Sequence, residues 1–197
     1  EVTSKPRRQS VTYPSGETLI AVVRIEVRPG TSLNLQTEQQ AAALLLNTSA
    51  TPGIAALQVD FDATRSQRPF YTGLLRELRR QMLPTLPLSI TALASWCSYD
   101  DWIADLPVQE AVPMLFRMEP DRRRAAPDTA DLRITEPLCT SSVGVSTHEP
   151  WPENLAISPT SGPNNNGAHI AARKRIYVFA DQGWRVDLAS LTHRKLP

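Results

Sequence analysis

The chain alternates short, nearly continuous apolar runs with segments of helical period. "TLIAVVRIEV" (18–27), "IAALQVDF" (54–61), "PLSITALA" (87–94), "AVPMLFRM" (111–118), "LCTSSVGVST" (138–147) and "KRIYVFA" (174–180) read as six strands. Their β-branched content and lack of polar alternation mark strands buried on both faces. Between the first two, Thr37 is placed to cap a helix running to about Asn47, which Pro52-Gly53 ends. Between the second and third, 66–82 predicts a helix capped by Ser66, with Phe70, Leu74, Leu75 and Leu78 at helical spacing. Arg79 and Arg80 fall in its last turn, where positive charge suits the helix dipole. A short helix is expected around Asp100 to Asp105.

Strand–helix alternation with such strands predicts an α/β fold with a parallel sheet covered by helices. Two closures fit. One is a (β/α) barrel, incomplete or irregular, because a full barrel takes about 250 residues and this chain has 197. The other is an open doubly wound parallel sheet. Residues 1–16 are polar and without period, and read as a tail or linker; 17–197 read as a single barrel-like domain.

Composition narrows the function classes. Lys plus Arg is 21 against 20 Asp plus Glu, so no strong field favours nucleic acid or an anionic membrane. The basic clusters Arg122-Arg123-Arg124 and Arg173 to Arg175 read as solvated surface patches. No apolar stretch approaches the ~18 residues of a membrane span, and no signal peptide is visible. No Gly-rich loop follows a strand, so dinucleotide and P-loop sites are not expected. Two cysteines, Cys97 and Cys139, are either buried free thiols or one disulfide.

Candidate chemistry gathers at the carboxyl ends of the strands, where parallel α/β folds bind ligands. Arg24, Glu26 and Arg28 end the first strand, Asp60 and Asp62 the second, Thr91, Ser95 and Trp96 the third. Arg117 ends the fourth, His148, Glu149 and Trp151 the fifth, and Asp181 the sixth, with Trp184 nearby. A strand puts residues i and i+2 on one face, so Asp60 and Asp62 share a side about 6.6 Å apart. Acids with tryptophans suit a carbohydrate, whose CH faces stack on indole and whose hydroxyls bond carboxylate and guanidinium. Glycoside hydrolysis needs two acids, and Asp60, Asp62 and Glu149 are the candidates. A structural reading stands beside it: Asp60 pairs with Arg24 or Arg117, Asp62 caps the next turn, and Trp96 and Trp151 cover the core rim.

The segments "LQVDFDATRSQRPFYTGLLRELR", "LSITALASWC", "DLPVQEAVPMLFRM", "VGVSTHEPWP" and "RIYVF" together resemble an uncharacterised bacterial family, domain of unknown function 3142. The resemblance implies an extracytoplasmic (periplasmic or secreted) protein with a glycosidase-like barrel. A more distant likeness is to family-18 chitinase-like barrels, whose fourth strand carries Asp-x-Asp-x-Glu with the Glu as general acid. Gln58, Asp60 and Asp62 stand at those positions, so the first acid is an amide and the last is one methylene shorter. On this reading Asp62 is the general acid, Asp60 its charge partner and Glu149 a reserve acid. Trp96 and Trp151 stack the sugar, Arg117 orients Asp60 or the ligand, and Glu26 contacts the substrate. No metal or organic cofactor is implied, although Asp60, Asp62 and Glu149 are of the type that holds a hard cation. The leading function is a carbohydrate-active barrel acting as a glycoside hydrolase. The alternative is a non-catalytic glycan- or cell-wall-binding module on a degenerate barrel. The oligomeric state is left open.

Overall fold

The structure is a computed structural model describing residues 2–6, 15–116, 134–147, 149 and 175–179. Among these residues six strands form one sheet: β1 (Leu19–Arg24), β2 (Ile54–Asp60), β3 (Leu88–Leu93), β4 (Glu110–Met114), β5 (Ser142–Ser146) and β6 (Arg175–Phe179). Every neighbouring pair is parallel, and spatial order equals chain order, β1 to β6. A doubly wound sheet reverses its strand order at a switch point; no reversal occurs here. Sequential parallel pairing is barrel winding, and six strands curl into a half-barrel.

The helices cover one face of this sheet. The first, α1 (Leu35–Ser49), is capped by Asn34 rather than Thr37. Thr37 is the third helical residue and completes a capping box: its N–H donates to Asn34 Oδ1 at 3.0 Å, and its Oγ1 accepts from Asn34 N at 2.9 Å. After α1 the chain turns through Gly53, whose φ of 86° lies in the left-handed region. The second helix, α2 (Arg68–Gln81), follows a 3-10 turn at Arg65–Gln67. The start signal is therefore Thr64, whose N–H donates to Gln67 Oε1 at 2.9 Å, and not Ser66. At its other end Arg79 donates to the carbonyls of Leu83 and Leu86, satisfying the turn that leads to β3.

The core lies between sheet and helices. Leu57, Val59 and Phe61 from the β2 segment, and Leu88 and Ile90 from β3, meet Ala42 and Leu45 of α1 and Tyr71, Leu74, Leu75 and Leu78 of α2. Phe61 stands edge-on to Phe70 and Tyr71, with centroids 6.4 and 5.1 Å away. Strand alternation then sends Gln58, Asp60, Ser89, Thr91 and Glu110 to the opposite, concave face. This alternation decides where the candidate acids point.

Two further expectations are corrected. The expected third strand does not run on into "ASWC": Ala94–Ser98 is a helix, α3, followed by a 3-10 turn at Asp101–Ile103. The fifth strand begins at Ser142, because Pro137 starts a 3-10 turn at Pro137–Cys139. The cysteine alternatives resolve as a disulfide, Cys97–Cys139, joining α3 to that turn. Among the described residues no helix is long and apolar enough to cross a membrane.

Candidate functional site

The carboxyl end of β2 is tied to both neighbouring strands. In register, Arg24 of β1 lies opposite Asp60 of β2. Arg24 Nη1 donates to Asp60 Oδ2 at 2.8 Å, and Arg24 Nη2 to Asp62 Oδ2 at 3.2 Å. From the other side Thr91 Oγ1 donates to Asp60 Oδ1 at 2.7 Å. Both oxygens of Asp60 are therefore acceptors in charge-assisted bonds, the arrangement of an ionised carboxylate. Glu26 reaches the same guanidinium less closely, at 3.7 Å to Arg24 Nε.

The two aspartates differ in environment although they share a strand end. The Asp60 side chain is 13% exposed and that of Asp62 34%. Burial, with the neighbouring charge of Asp60 behind it, pushes the Asp62 carboxyl above the usual aspartate value, and Arg24 opposes the shift. Asp62 is thus the more open acid, and its carboxyl keeps its proton to higher pH than an ordinary aspartate. Beneath them Gln58 is fully buried. Its Nε2 donates to Ser89 Oγ at 3.2 Å.

The structure brings Arg24, Glu26, Asp60 and Asp62 together and separates them from other candidates. Trp96 is corrected from a rim position to a core one. It is 3% exposed on α3, edge-on to Trp102 with centroids 4.8 Å apart. The cause is the helix itself, which turns the side chain under the sheet end instead of out along the strand. Glu149 is half-buried three residues beyond β5. That strand is three positions from β2, about 14 Å along the sheet. Arg117, Trp151, His148, Asp181 and Trp184 lie outside the described residues, as do the arginines at 122–124.

Sequence reasoning missed two participants. Thr91 was read as a strand-end hydroxyl, but its role as the second anchor of Asp60 depends on the β2–β3 register. The other is a buried cluster lower on the concave face. Glu110, 4% exposed, accepts from Ser141 Oγ at 3.1 Å, Tyr177 OH at 3.0 Å and Arg175 Nη1 at 3.2 Å. Arg175 thus belongs to an ion pair at the amino end of the sheet. Its side chain remains 64% exposed. Among the described residues no group of three metal-ligating side chains converges.

Residues 15–112 match the model of a domain of unknown function, DUF3142. The matched stretch runs from before β1 into β4 and includes Arg24, Asp60, Asp62 and Thr91, whereas Glu149 and Cys139 lie beyond it. Comparison with curated proteins and with solved structures finds no match.

Proposed function

We propose that this half-barrel is a carbohydrate-active protein of the glycoside hydrolase type, with Asp62 as general acid and Asp60 as its ionised partner. The observation that carries the reading is the contrast within the pair. Asp60 is fixed as a charged acceptor by Arg24 and Thr91. Asp62 is more exposed, and burial and the Asp60 charge raise its pKa. Acid–base chemistry on a glycosidic bond needs such a split: one carboxyl that keeps its proton to give to the leaving oxygen, and one that stays ionised beside the developing positive charge. The site sits at the carboxyl edge of a barrel-wound sheet, where such folds carry their chemistry. Glu26, with Arg117 and Trp151 from the sequence reading, supplies further ligand contacts, and Glu149 is the reserve acid.

The setting that goes with this reading is a bacterial, extracytoplasmic one. The Cys97–Cys139 disulfide supports the compartment, because disulfides persist in oxidising environments.

A second reading, a non-catalytic glycan- or cell-wall-binding module, is favoured by the Arg24 bridge. One guanidinium occupies an oxygen of both acids, and the expected stacking indole of Trp96 is buried. A screen of aryl glycosides and cell-wall glycans with wild type, Asp62→Asn and Asp60→Asn separates the two. The hydrolase reading expects turnover in wild type and at least a hundredfold loss in Asp62→Asn, with ligand binding retained. Binding without turnover in all three proteins supports the module and refutes the hydrolase.

A further inference from the structure

The strands of the sheet are not joined evenly. The β1–β2, β2–β3, β3–β4 and β5–β6 ladders hold six, three, five and five residue pairs, whereas β4 and β5 meet at the single pair Met114–Gly144. The sequence explains the gap. Leu115 N–H donates to Gly144 O at 2.9 Å. Along a parallel strand the donors that face one neighbour recur at every second residue. The next donor down β4, opposite Ser142 O, therefore belongs to position 113. That residue is Pro113, which has no N–H to give. Proline within a strand is a mark of sheet edges, and β4 has the character of an edge on its β5 side.

The apolar core stops at the same line. Its cluster draws on β2, β3 and Ala111 of β4, with Ala21 and Val23 of β1 packed against it. Among the described residues it takes none from β5 or β6. Contacts of another kind cross the seam. At the amino end Glu110 of β4 accepts from Ser141, just before β5, and from Arg175 and Tyr177 of β6. At the carboxyl end the Phe116 and Phe179 rings lie against each other, centroids 5.5 Å apart. Cys139, three residues before β5, is tied to Cys97 of α3.

We infer that β5 and β6 are a detachable unit, which parts from β4 along this seam more readily than the rest of the sheet unfolds, with Glu110 as its clasp. A short ladder and few shared core contacts are what give a segment a low opening free energy of its own. Two strands are not stable alone, so both lose their mutual ladder when they part from β4. The disulfide keeps the start of β5 beside α3, where it can dock again. Opening bares the β5-facing edge of β4 and the Glu110 carboxylate, which is buried in the closed sheet. The inference does not depend on the Asp60–Asp62 reading.

The test is backbone amide hydrogen exchange of the full chain, followed by NMR in increasing urea below the unfolding transition, where rates report opening equilibria. Amides of 143–146 and 176–179 are expected to share one opening. It should be at least tenfold more populated than that of 57–59 and 88–91, and less steep in urea because less surface is exposed. Leu45→Ala removes a core side chain of α1, 3% exposed, on the far side of the seam. It is expected to speed exchange in β2 and β3 at least tenfold and in β5 and β6 less than twofold, because that core stays formed when the unit opens. Glu110→Gln keeps the side-chain size and loses the charge that holds Arg175. It is expected to speed exchange in β5 and β6 at least tenfold. One opening common to all six strands, equal acceleration of both groups by Leu45→Ala, or unchanged β5 and β6 exchange in Glu110→Gln overturns the inference.

Discussion

Replacing Cys97 and Cys139 together by alanine removes the one covalent tie between the β3 end and the segment leading into β5. The cross-link joins residues 42 apart. Closing a loop of that length removes about 13 cal/mol/K of unfolded-chain entropy, or about 4 kcal/mol at 25 °C. Both sulfurs are in residues with no exposed surface, so the alanine pair also leaves a small apolar void, which adds to the loss. For a chain of this size each kcal/mol moves Tm by about 2–4 °C, which gives a fall of about 8–16 °C. The backbone bonds from Thr135 and Glu136 to Cys97 O survive the substitution, so the native sheet is expected to persist at 25 °C. The assay is thermal unfolding by circular dichroism of wild type and the double variant, each with and without reductant. Reductant should lower wild-type Tm and leave the variant unmoved. A wild type insensitive to reductant after full unfolding, or a variant within 2 °C of it, refutes the loop-entropy argument and the tie itself.

Four other outcomes follow from named contacts. Thr91→Val strands the Asp60 oxygen that now accepts at 2.7 Å and should cost about 1–3 kcal/mol in urea unfolding. Arg24→Met strands the other Asp60 oxygen, on a side chain only 13% exposed, and should likewise cost about 1–3 kcal/mol, with little added by the more exposed Asp62 arm. It should also raise the Asp62 pKa further, read by carboxylate NMR titration, since Arg24 is the group that lowers it. Asp62 binds its proton more tightly folded than unfolded, so its contribution to stability is fully present at low pH. That contribution is lost as pH rises from the ordinary 3.8 through the folded value; the Tm of Asp62→Asn relative to wild type should climb over that window, and a flat difference would sink the assignment. Gly73→Ala places a Cβ against the Glu38 carboxylate, the far end of a flexible side chain. It should therefore be neutral or stabilising by up to about 1 kcal/mol from helix propensity; a loss above that amount would mean that Glu38 is held in place.

The parallel sheet was legible because its strands are short apolar runs separated by helix-period segments, and sequential winding needs no information beyond that order. Helix α3 was not legible. "LASWC" continues the apolar run of β3 without a glycine or proline, and over so few residues hydrophobicity has no period to read. Its invisibility misplaced Trp96, since a residue one step beyond a strand projects along the sheet while the same residue on a helix folds under it. Helix starts were off by two or three residues for a related reason. Thr37 and Ser66 have the right chemistry for a cap, but Asn34 and Thr64 precede a partner three positions on, and the pair sets the boundary. The Glu110 cluster was hidden by distance: its partners stand 31, 65 and 67 positions later in the chain. No local pattern carries such a pairing.

The Asp-Phe-Asp stretch at the end of β2 shows what register adds to residue identity. Alternation alone puts both aspartates on the concave side and Phe61 in the core, as found. It gives the two acids the same face and no reason to differ. The difference comes from depth. Asp60 is the last residue of β2, level with Arg24 on one side and hydrogen-bonded to Thr91 on the other, so both its oxygens are held. Asp62 lies past the last rung, where, among the described residues, the guanidinium alone is bonded to it. One step of two residues along a strand, about 6.6 Å, thus separates a carboxylate held through both oxygens from one that Arg24 holds through Oδ2.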